Sequence, residues 1–141
     1  AALLPYGEPV TDAPIAGLTH AIDAHFGGES VEAVLASLDA DRGAWAAATA
    51  ATIRAKSPTS LKIAFRQMLE GRLLEFRDCM TLEFRITERL QKGHDFYEGV
   101  RATILDKDGA PKWSPASLSE VKPWMIDAYF APLDRDWNPN A

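Results

Sequence analysis

The chain contains a single cysteine, Cys79, so no intramolecular disulfide forms and no cysteine-rich zinc site can be assembled. We therefore expect a reducing, cytoplasmic setting, or the mitochondrial matrix for a eukaryotic source. Histidine is nearly as scarce: His20, His25 and His94 are the only three, and His20 and His25 stand five apart, off the i,i+4 spacing of a helical zinc pair. We expect no metal. No apolar run approaches the roughly 18–20 residues that span a bilayer, and Ala1 to Pro14 holds prolines and acids where a secretion signal needs a basic start and an apolar middle. No membrane partner is expected. Positive charge is in deficit, with 15 Lys and Arg against 20 Asp and Glu, a formal charge of −5. Nucleic-acid affinity rests mainly on cations that neutralise phosphates, so this balance disfavours a helix-turn-helix DNA binder. G-x-S-x-G, P-loop and G-x-G-x-x-G signatures are also missing, which removes the commonest local marks of acyl hydrolysis and nucleotide binding.

What remains is an ordinary globular composition, 47% apolar and 25% charged over 141 residues, the size of one domain. Alanine occurs 23 times against 12 Val plus Ile, and windows 15–57 and 59–110 are interrupted only by Pro58. Such windows suit helices. Ile15, Leu18, Ile22 and Phe26 recur at helical spacing up to Gly27-Gly28, and Val31, Val34, Leu35 and Leu38 follow Ser30, a good N-cap. An Ala-rich stretch from Asp41 to Lys56 precedes Ser57-Pro58, an N-cap followed by proline at the first helical position. Leu61, Ala64, Phe65, Met68 and Leu69 then predict an apolar stripe ending at Gly71. Phe76, Cys79, Met80, Leu82, Ile86 and Leu90 predict another, with Glu88 and Lys92 paired outside and Gly93 as the stop.

Asp95 and Glu98 have capping-box spacing, as do Ser117 and Glu120, and Pro123 is placed to open a last helix. Asp106 to Pro111 concentrates turn formers. No period-2 strand is evident. The chain reads as all-α, with six or seven helices: a loose segment over 1–14, a helical domain over 15–131, and a loose tail over 132–141.

Few side chains invite chemistry. Glu83 sits among Cys79, Met80, Leu82 and Ile86, so burial would demand a cationic partner such as Arg66 or Arg101. Lys62 and Arg66, i,i+4 on the helix after Pro58, and Lys107 in the later turn are the candidates for touching an anionic group such as a phosphate. Trp113, Trp124, Tyr129 and Phe130 suit a late core or an interface patch.

Three segments carry a resemblance. Ser57-Pro58-Thr59-Ser60-Leu61-Lys62-Ile63, Thr81-Leu82-Glu83-Phe84-Arg85, and Gly93-His94-Asp95-Phe96-Tyr97-Glu98-Gly99-Val100-Arg101-Ala102 with Asp106-Lys107-Asp108 and Pro111-Lys112-Trp113 resemble the C-terminal part of the 3-hydroxyisobutyryl-CoA hydrolase branch of the enoyl-CoA hydratase/isomerase (crotonase) superfamily. The likeness runs from about Ile15 to Phe130. It implies valine catabolism: hydrolysis of a CoA thioester on an N-terminal α/β core, where backbone N–H groups form an oxyanion hole and acidic side chains activate water.

That core is not among these residues, and the chain opens at Ala1 without Met, so we expect a helical piece whose partner is the missing core. On that reading it supplies no catalytic residue and holds no cofactor, Lys62, Arg66 and Lys107 being weak candidates for the CoA phosphates. Apolar surface left by the core should favour a homo-oligomer. A hydratase or isomerase fragment and a free-standing helical interaction module are the alternatives.

Overall fold

The computed structural model describes residues 13–137. All its regular elements are helical, and no strand occurs among the described residues. A 3₁₀ turn, Pro14–Leu18, leads into α1 (Thr19–Phe26). Then come α2 (Val31–Ala40), α3 (Ala44–Arg54), α4 (Pro58–Gly71), α5 (Phe76–Leu90), α6 (His94–Val100) and α7 (Pro123–Phe130). The expected all-α class is the observed one.

Local chemistry sets the helix starts. Ser30 Oγ accepts from Ala33 N at 3.0 Å, and Ser57 Oγ accepts from Ser60 N at 3.1 Å with Pro58 in the first turn. Asp41 Oδ1 accepts from Gly43 N at 2.7 Å, turning the chain from α2 into α3. α6 does not stop at Val100. It widens into a π-type turn over Arg101–Leu105, closed by Asp106 N donating to Arg101 O at 2.9 Å, five residues back.

Two apolar cores form, and α4 is the wall between them. Val31, Val34, Leu35 and Leu38 of α2 meet Ala46 and Ala50 of α3, whose small side chains let the helices close until Leu38 is fully enclosed. Leu61 and Phe65 of α4 pack on that cluster. Ile63, between them in sequence and on the opposite helical face, joins Leu82 and Ile86 of α5, Val121, and Ile126 and Phe130 of α7.

Several expected inward stripes are only half covered. Ile15, Phe26, Met68, Leu69, Phe76 and Met80 all stay exposed, Phe76 at 77% and Met68 at 75%. A helical stripe is buried only where a second element lies against it. α1 is covered by α2 on one side only, and these residues at the end of α4 and the start of α5 stay largely uncovered.

The capping-box expectations also need correction. The N-cap of α6 is Gly93, so Asp95 lies inside the first turn and reaches other segments. Ser117 precedes only a short 3₁₀ turn, Leu118–Glu120, and its side chain does not cap it; Glu120 instead accepts from Ala116 N at 3.0 Å. Residues 1–12 and 138–141, most of the segments expected to be loose, lie outside the described residues. Residues 132–137 are fastened: Arg85 grips Asp136 through Nε at 2.9 Å and Nη2 at 2.6 Å, and Arg89 donates to Pro132 O at 3.0 Å.

Candidate functional site

The densest polar constellation lies along α6 and the loop that follows it. Arg101 is its hub. Its guanidinium donates to both oxygens of Glu98 at 2.8 and 2.9 Å, to Asp106 and Asp108 at 2.7 Å each, and to Ala110 O at 3.3 Å. Those bonds push the Arg101 pKa up. They also hold the Glu98 carboxyl down at about 2, Arg101 being the main cause and the Lys112 amide, donating at 2.6 Å, the second.

The same loop is pinned elsewhere. Trp113 Nε1 donates to Ala55 O at 3.0 Å, and His94 Nε2 lies 3.0 Å from Lys112 O. The Trp113 ring lies over Gly99, where even a Cβ would meet it at an ordinary contact distance of 3.4 Å. Gly109, at φ 63°, takes the left-handed turn that brings its amide to Ala102 O at 3.1 Å. The long motif from Gly93 to Trp113 is therefore a clamp that folds one loop back over α6.

A second knot joins α4 to α6. Ser57 Oγ donates to Asp95 Oδ2 at 2.5 Å while it caps α4, and Asp95 Oδ1 accepts from Ser114 N at 2.8 Å. Tyr129 of α7 reaches the same region, where burial and the charge of Asp95 keep its hydroxyl protonated to higher pH than usual.

The anion candidates are divided. Lys62 and Arg66 line one cleft of about 240 Å³, together with Glu29, Glu32 and Asp127. Lys62 Nζ is 2.7 Å from Glu32, and Arg66 bonds Glu70 at 2.6 Å and Asp127 at 2.7 Å with its guanidinium 4.1 Å over the Phe130 ring. A phosphate would have to displace these carboxylates. Lys107 stands apart in the α6 turn, at φ 55° between Asp106 and Asp108, and does not line that cleft. Glu83 is exposed and accepts from Gln67 Nε2, so neither Arg66 nor Arg101 is its partner.

The structure also assembles a trio that spacing did not reveal. His25 Nδ1 lies 2.8 Å from Ser37 Oγ, and its Nε2 lies 3.0 Å from Asp41 Oδ2. Hydroxyl, imidazole and carboxylate are in a chain, but the ring is largely buried beside Trp45. It straps α1 to α2 and to the α2–α3 turn. Separations of 12 and 16 residues carry no periodic signal that a sequence reading could use.

A groove of about 440 Å³ is walled by Phe26, Val34, Ile53, Leu61, Phe65 and Met68, with Arg72 at its border. Its walls suit apolar surface and offer no acid or base for proton transfer.

Comparison with known proteins places these features. Residues 4–130 match the family described as enoyl-CoA hydratase/isomerase, so the likeness begins well before Ile15. The mitochondrial 3-hydroxyisobutyryl-CoA hydrolase of Danio rerio is 43% identical over 82% of this chain and 30% of its own length. The Homo sapiens enzyme of the same name is 39% identical over 79% of this chain and 29% of its own. A carnitinyl-CoA dehydratase from Mycobacterium thermoresistibile superposes with a TM-score of 0.86 at 31% identity, covering 96% of this chain and 39% of that one. The chain thus spans less than a third of the two hydrolases and 39% of the dehydratase, and among its described residues no helix is long and apolar enough to cross a membrane. With 127 of 141 residues inside the family match, the chain belongs to the enoyl-CoA hydratase/isomerase family.

Proposed function

We propose that this chain is the C-terminal helical part of a 3-hydroxyisobutyryl-CoA hydrolase-like enzyme, acting in valine catabolism as the scaffold of a CoA-thioester hydrolase. The observation that carries it is the 43% identity to such a hydrolase over most of this chain but less than a third of the relative. The geometry supports a scaffold role, because the motif carboxylates Asp95 and Glu98 are committed to holding α4, α6 and the following loop together. In this reading the exposed apolar faces of α4 and α5 and the groove receive the α/β core, and the groups that polarise the thioester carbonyl and activate water come from that core. The compartment of the relatives, mitochondrial by name, suggests the matrix for a eukaryotic source.

The test mixes the purified chain with a separately expressed α/β core of a family hydrolase and follows release of free CoA thiol from 3-hydroxyisobutyryl-CoA. We expect the chain alone to be silent and the mixture to form a complex that hydrolyses the substrate. Turnover by the chain alone would overturn the proposal. A dehydratase or hydratase specificity is the second reading, favoured by the superposition on the carnitinyl-CoA dehydratase. Under that reading the complex would add or remove water at the acyl chain and release no thiol.

A further inference from the structure

The Ser57-Pro58-Thr59 and Gly93-His94-Asp95 segments, prominent in the sequence, meet around a cavity of about 30 Å³ that the functional reading leaves unused. Thr59, Gly93, His94, Asp95, Ser114 and Tyr129 form its wall, so α4, α6, α7 and the loop before the Leu118 turn all contribute. Thr59 is 7% exposed, and its Oγ1 is wholly buried without a hydrogen-bond partner. Native proteins rarely leave such a hydroxyl unpaired.

We propose that this cavity is a binding site for one water molecule, bridging Thr59 Oγ1, the Tyr129 hydroxyl and the Asp95 carboxylate. Size agrees with a small ligand: the space open to water-sized molecules is about 30 Å³, roughly that of one water. Chemistry agrees. Each Asp95 oxygen accepts one protein hydrogen bond, from Ser57 or from Ser114, and keeps a lone pair for another. Two hydroxyls and a single, already bonded carboxylate make a poor cage for a metal ion and a good one for a water that donates and accepts. The site does not depend on the enzymatic reading, since every group in its wall belongs to this chain.

The experiment pairs a high-resolution crystal structure of the chain with a double-mutant cycle of Thr59→Val and Tyr129→Phe, both near-isosteric. We expect density for one water in hydrogen-bond contact with Thr59 Oγ1 and the Tyr129 hydroxyl. Each substitution should raise the unfolding equilibrium constant on the order of two- to tenfold, and the pair should cost less than the product because both lose the same bridge. A dry cavity would overturn the proposal, as would anomalous scattering there after a thallium soak, marking a cation. Thr59→Val making the protein more stable would do so independently, because removing a truly orphaned hydroxyl is favourable.

Discussion

Glu98 and Arg101, one helical turn apart, face each other with two parallel hydrogen bonds of 2.8 and 2.9 Å, and the same Glu98 carboxylate takes the Lys112 amide. This pair ties the helix to its return loop, and its acid dependence follows. The folded Glu98 carboxyl titrates near 2 against an ordinary 4.5, so between those values the unfolded chain binds the proton that the folded one refuses. Its stabilisation is complete above about pH 4.5 and is lost as pH falls toward 2. Glu98→Gln should lower the urea midpoint at neutral pH and flatten its decline across that acid window, read from denaturation curves at several pH values.

Leu38 is the most deeply enclosed side chain of the first core. Leu38→Ala should destabilise the domain by about 2–5 kcal/mol, since the alanine-lined α2–α3 contact has little freedom to collapse into the space left behind. Equilibrium urea unfolding with an unchanged m-value would measure it.

Leu73, just before α5, and Phe76, its first residue, are 79% and 77% exposed, and Met68 of α4 is 75% exposed. Large exposed apolar side chains of this kind favour association. Sedimentation velocity should show the isolated chain self-associating, and Leu73→Glu with Phe76→Glu should shift it toward monomer while changing stability by only about 0.5 kcal/mol.

His25 is the tie between α1 and the rest of the domain, through Ser37 and Asp41. His25→Ala should release α1 before anything else. Hydrogen exchange should accelerate in Thr19–Phe26 well before it changes in Phe76–Leu90.

Helix existence could be read from the sequence wherever punctuation was strong: Ser30, Ser57-Pro58, Gly93 and Pro123 each sit at an observed helix boundary. Burial was harder to read, because the stripe through Met68 and Phe76 looks the same whether or not another element covers it. The roles of Asp95 and Glu98 lie beyond local spacing for a related reason. Capping-box spacing is a local pattern, while their long-range partners, Ser57 at the start of α4 and Lys112 and Ser114 in the loop, are fixed by tertiary folding. The His25 strap and the split between Lys62 with Arg66 and Lys107 likewise arise only in three dimensions.

Because α4 presents Leu61 and Phe65 to one core and Ile63 to the other, the two halves have no seam at which to part. Loss of that helix removes a wall from both at once, so the domain should melt in a single cooperative step. A larger protein carrying it would gain a stiff strut and not a pair of jaws.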